Sequence, residues 1–137
     1  MLLANVAILD LQRSAPAVAR ANLAESLRHL AGVEAPVAAC TAIHAAAAAA
    51  ASCGEREPAA RWFGAVEALW RAIGSAPERV DSDAFAPILE RLRETLGAAA
   101  FAAACEGGAG LPLETALRET REWAEAGPAT EPSRPAP

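Results

Sequence analysis

From Ala35 to Gly54 the chain carries no formal charge, and seven consecutive alanines, Ala45 to Ala51, fill the second half of that stretch. A run of this length is long enough to cross a bilayer as a helix. Its content argues against that use. Insertion into lipid rewards leucine and isoleucine, and Ile43 is the single such residue here, while Thr41, His44 and Ser52 add polarity and Pro36 stands near the start. Alanine is the best helix former because it loses no side-chain entropy on ordering. The expectation is therefore a helix buried inside a water-soluble protein. The remainder agrees: 39 of the 137 residues are alanine, there is no tyrosine, and aromatics make up 4%. This composition points to an all-α fold in a single domain.

Charge and cysteine usage exclude several functions. The formal net charge is −5, which disfavours nonspecific nucleic-acid binding. All twelve basic residues are arginine, so neither a P-loop lysine nor a lysine Schiff base is available. Cys40, Cys53 and Cys105 are odd in number and lack a disulfide-framework spacing, which fits a reducing, cytoplasmic setting. The apolar stretch from Leu2 to Leu11 has no basic residue before it and is interrupted by Asn5 and Asp10, unlike a signal peptide.

Proline and glycine punctuation divides the chain into seven short predicted helices: 2–13, 16–30, 36–53, 58–73, one from the Asp81-Ser82-Asp83 caps to Leu96, 98–106, and 112–126. In the fourth, Trp62, Val66, Leu69 and Ile73 keep a helical rhythm that Phe63 and Trp70 widen. Pro87 is placed in or just after the first turn of the fifth, and Gly97 at a stop or tight corner. Gly107, Gly108 and Gly110 are read as a break before the last helix, whose Glu114–Arg118, Arg118–Glu122 and Arg121–Glu125 spacings predict a solvated face. The final eleven residues, GPATEPSRPAP, hold four prolines and no large apolar side chain, and read as a disordered tail after a helical domain of residues 1–126.

Short loops make successive helices antiparallel neighbours, and an internal repeat favours stacked pairs over a closed bundle. Val6-Ala7, a turn at Ser14, then Ala19, Leu23 and Leu27 recur as Ala46-Ala47, a turn at Gly54, then Ala59, Phe63 and Glu67, at an offset of 40 residues. Small residues let paired helices approach closely, and Leu23 and Phe63 fill the space between neighbouring pairs.

The stretches AARWFGAVEALWRAIG and FAPILERLRETLGAAAFAAACEGGAGLPLETALRETREWAE carry a resemblance. They are similar to A-A-R-L-x-G-A-A-E-x-L-R-x-x-x-G followed by L-G-x-x-x-F-x-x-A-x-x-x-G-x-x-L-x-L-E-x-A. The agreeing positions are Ala59, Ala60, Arg61, Gly64, Ala65, Glu67, Leu69 and Gly74, then Leu96, Gly97, Phe101, Ala104, Gly108, Leu111, Leu113, Glu114 and Ala116. That pattern resembles the C-terminal tail of large bacterial ATP-binding regulators of the LuxR class and their AfsR-like and cyclase-associated relatives. It departs at Trp62, Phe63 and Trp70, and at Cys105, where tryptophan is frequent. The resemblance implies a tetratricopeptide-like right-handed superhelix of short antiparallel helix pairs that relays a signal or docks a partner. Neither the ATPase motif nor a basic recognition helix of those regulators is present in this sequence.

Candidate chemistry is sparse. Cys40 and His44 are one turn apart and form half a metal site, with buried packing as the plainer reading. Asp81 and Asp83 suit helix capping better than a cation loop, and the three glycines lack the preceding strand of a phosphate-binding fingerprint. Trp62, Phe63, Trp70 and Trp123 are the candidate partner-binding residues, with core packing as the alternative. The expected role is noncatalytic, without metal, cofactor, nucleic acid or membrane: a helical-repeat module binding a protein partner or other domains of a regulator. The alternative is a sensor binding a small effector between helix pairs. Val6, Ile8, Leu9 and Leu11 make the first helix apolar on too many sides for a stack end, which predicts a homodimer through the N-terminal helix pair.

Overall fold

The structure, a computed structural model, describes residues 16–77 and 79–126. The predicted first helix, 2–13, and the tail, 127–137, lie outside the described residues. Those described form six α-helices and no strand: α1 (Pro16–Leu30), α2 (Pro36–Ser52), α3 (Arg56–Ala72), α4 (Arg79–Leu96), α5 (Ala98–Ala109) and α6 (Leu113–Ala126).

The alanine helix is the centre of the molecule. α2 touches α1, α3, α4 and α6, and every alanine from Ala45 to Ala50 is fully buried. Methyl-sized side chains on all faces allow four neighbours to crowd one axis, and the bulk comes from outside it: Leu23 and Leu27 of α1, Phe63, Val66 and Trp70 of α3, and Phe85 and Leu92 of α4. Burying each such leucine is worth roughly 1.5–3 kcal/mol. No helix is long and apolar enough to cross a membrane among the described residues.

The hairpins are made by local chemistry. Pro36 occupies the first turn of α2, where its missing N–H leaves no bond unmade. At the other end Gly54 has φ of 85°, the Glu55 N–H donates to the Ala50 carbonyl at 2.9 Å, and the Gly54 N–H donates to Ala51 at 3.1 Å. Such a pair of bonds closes the last turn and reverses the chain into α3. Gly97 makes a one-residue corner: its N–H caps α4 through Arg93, and its carbonyl accepts from Phe101 in α5.

The hairpin α2–α3 lies against the hairpin α4–α5, with contacts α2 to α4, α3 to α5 and α3 to α4. The closest helix pair is α3 with α5. A Cβ at Gly64 would run into the backbone of Cys105, and one at Gly108 into the backbone of Arg61. Two glycines thus face the opposing main chain from the two helices of one crossing. α5 continues through Gly107 and Gly108 to Ala109 rather than breaking at Glu106, as the glycine run suggested. Of the two, Gly108 has no room for a side chain, whereas Gly107 does.

Other boundaries also differ from expectation. α4 begins at Arg79, so Asp81 and Asp83 lie inside its first turns instead of capping it. Pro87 falls in the interior of α4, beyond the first turn, and cannot donate the backbone bond to residue 83. α3 starts at Arg56, two residues before Pro58. Last, α6 makes no contact with α5 and instead returns to lie on α1, α2 and α3. In a linear array each unit touches only its neighbours; here the last helix meets the first described one.

Candidate functional site

Two side-chain constellations stand out. The first is a chain of alternating ionic and aromatic groups where α1, α3 and α6 meet. Arg20 of α1 is 4% exposed and holds three partners. Its Nη1 bonds Glu55 Oε2 at 3.2 Å, its Nη2 and Nε reach the Trp123 carbonyl at 2.7 and 3.3 Å, and its guanidinium lies 3.9 Å from the centre of the Trp123 ring. Trp123 meets Trp62 edge to face at 5.7 Å between centroids. The Trp62 Nε1–H donates to Glu119 Oε1 at 3.0 Å, and Arg61 grips both oxygens of the same carboxylate at 3.0 and 2.8 Å. That two-pronged bond holds Glu119 below the usual carboxylate range, against a smaller opposing pull from burial, and raises Arg61 in turn. An open cleft of about 540 Å³ borders this network between Glu57, Arg61 and the alanine face of α5 at Ala100 and Ala103.

The second constellation is a cavity of about 380 Å³ between the two hairpins, lined by His44 from α2, Phe63, Val66, Glu67 and Trp70 from α3, Pro77, Leu89 and Arg93 from the α4 side, and Phe101 and Cys105 from α5. His44 stacks at a tilt on Phe85, 4.3 Å between centroids, and meets Phe63 edge-on at 5.6 Å. With rings on two sides, burial lowers its pKa from the ordinary 6.5 to about 4, so the imidazole is neutral at pH 7. Trp70 is buried, and its indole N–H has no hydrogen-bond partner. Cys105 has its thiol pushed up, first by burial and then by the charge of Glu67, and stays protonated.

The sequence-derived candidates divide between the two places. Trp62 and Trp123 come together in the first, Phe63 and Trp70 in the second. Trp62, Phe63 and Trp70 are 4%, 6% and 5% exposed. Side chains so covered present almost no area to a protein arriving from solution in this conformation, because alanine on α2 and glycine at Gly64 leave room inside for all three. Trp123 is half-buried, held under Arg20. Cys40 is wholly buried and its thiol is pushed up to about 11 by burial. Among the described residues no three of His, Cys, Asp and Glu gather as a metal site.

Arg20, Glu55 and Glu119 were not anticipated as site residues, although one signal existed. Arg20, Leu23 and Leu27 share a helical stripe, so an inward-facing arginine was legible there.

His44 gives an acid-sensitivity prediction. The unfolded chain binds a proton at His44 below about pH 6.5, whereas the folded chain resists it until about pH 4. Stability is therefore full above pH 6.5 and declines as the pH falls toward 4, by on the order of 3 kcal/mol from this group. A His44→Gln chain should show that part of the decline removed when urea midpoints are compared between pH 7.5 and pH 4.5; an unchanged pH slope would mean that His44 is not the responsible group.

No protein-family model, curated protein or solved structure matches the chain.

Proposed function

We propose that the chain is a noncatalytic helical-repeat module of a bacterial regulatory system, working in the cytoplasm by contact with a protein partner or with other domains of a regulator. The observation that carries this reading is the seating of one helical hairpin on another, first helix to first and second to second, across glycine and alanine contacts. Such stacking is how repeat arrays bury a core that no single hairpin could. The resemblance of 59–126 to the tails of LuxR-class regulators supports the same role and a tetratricopeptide-like right-handed superhelix, with α6 as a helix that folds back.

Self-association through the N-terminal helix pair belongs to this proposal. Of that pair, α1 is described, and its Val18 is 52% exposed. Light scattering after size exclusion is expected to give twice 14.0 kDa, and a Val18→Glu chain half of that. A folded monomer from the unaltered chain would overturn the dimer.

A second reading, the sensor of a small effector, is favoured by one observation: the cavity between the hairpins has the size and the mainly apolar wall of small-molecule sites. Filling it would alter the fit of α4–α5 on α2–α3, the kind of movement a relay needs.

A further inference from the structure

We propose that the cavity between the two hairpins holds a small carboxylic acid with an apolar body, the body inside and its single carboxylate at the mouth on the guanidinium of Arg93. The proposal rests on the effector-binding reading and names its ligand chemistry.

The interior decides the body. Phe63, Val66, Leu89 and Phe101 line the cavity, and its volume of about 380 Å³ falls among those of small-molecule sites. His44 and Cys105, also in the wall, carry no charge at pH 7, because burial holds the imidazole at about 4 and pushes the thiol up. An ionic group carried to this depth would lose its water and find no counter-charge.

The mouth decides the head group. Glu67 and Arg93 are the charged residues of the wall, and both are exposed. Glu67 already faces Arg71 at 3.7 Å, whereas Arg93 forms no ion pair among the described residues. One positive charge is therefore left unmatched. It is also held in place, since the Arg93 guanidinium lies over the Phe101 ring, 5.3 Å from its centroid. The donors of a guanidinium lie in its plane, so a ring against its face leaves them free to grip the two oxygens of a carboxylate. An ammonium in the same place would meet Arg93 as a like charge.

The test keeps one body and varies the head group: 3-phenylpropionate is negative, 3-phenylpropionamide neutral and 3-phenylpropylamine positive at pH 7. Titration calorimetry of the full chain at low salt is expected to rank the acid first, at least about fivefold tighter than the amide, with the amine weakest. Arg93→Gln should bring acid and amide within about twofold of each other. Glu67→Gln, which takes a like charge from the mouth, should tighten the acid. Both positions are exposed, so neither change disturbs the core. Arg91→Gln is the control: this arginine is exposed on the same helix but lines a separate hollow beside Ala51 and Gly54, and its loss should leave the acid unaffected. Equal binding of acid and amide, unchanged by Arg93→Gln, would overturn the carboxylate head group and leave the effector reading standing. So would an equal loss with Arg91→Gln, which would mean attraction to the surface at large. Absence of binding by all three compounds would overturn both.

Discussion

Gly64→Ala is expected to lower the free energy of unfolding by about 2–3 kcal/mol, the upper part of the range for overpacking a tight interior. The added methyl has nowhere to go, since its neighbours are the carbonyl, Cα and C of Cys105, all main-chain atoms of a rigid helix. Alanine would otherwise gain close to 1 kcal/mol over glycine within a helix, so the net loss understates the collision by about that amount. Gly108→Ala should lose a similar amount, against the carbonyl of Arg61. The control is one residue away. At Gly107 the nearest atom is the Arg61 Nη1, 3.8 Å off and at the end of a flexible side chain, so Gly107→Ala should be neutral or raise stability by up to about 1 kcal/mol. Urea unfolding followed by helical circular dichroism reads all three. The double change Gly64→Ala, Gly108→Ala is expected to cost less than the sum, because separating α3 from α5 once relieves both collisions. Additive losses would mean that the two contacts yield independently and the crossing is not a rigid unit.

The same crossing marks how far the sequence could be read. Helix content and most helix ends were legible, because alanine propensity, Pro36 and glycines such as Gly54 act locally. The burial of the alanine run was legible too, since an uncharged helix too poor in leucine and isoleucine to favour lipid has to be covered by protein. Gly107 and Gly108 misled because glycine weakens helices by itself, and only the opposing backbone of Arg61 accounts for one at Gly108. Nothing local announces which strand of contacts a distant helix will use. The return of α6 to α1 is likewise a long-range matter: its amphipathic pattern says that one face is buried, not against what. The aromatic residues were read as partner-binding candidates with core packing as the alternative; three of the four are buried, and their division between two places depends on how α3 packs against α5 and α6. Arg20 is the larger omission. Charged residues are ordinarily read as solvated, and its partners Glu55 and Trp123 lie 35 and 103 residues away.

Arg20→Ala is expected to cost about 3 kcal/mol, the low end for breaking a buried ion pair, since Glu55 keeps 30% of its side chain in water. More than a charge pair is lost. The Trp123 carbonyl lies in the last turn of α6, and the guanidinium bonds it from another helix while countering the negative end of the dipole. Arg20→Lys keeps the charge but trades the fork for a single ammonium, which cannot bond Glu55, reach Trp123 and lie flat on the indole together; a loss of about 1 kcal/mol is expected. Arg20→Met keeps a long apolar body against Trp123 and removes every donor, leaving the α6 carbonyl without its partner, for about 2 kcal/mol. The order alanine, methionine, lysine, from most to least damaging, says that Arg20 fastens α6 through its donors and charge. If methionine proves as mild as lysine, the guanidinium contributes chiefly by covering the Trp123 ring, and the closure of α6 onto α1 is a matter of packing.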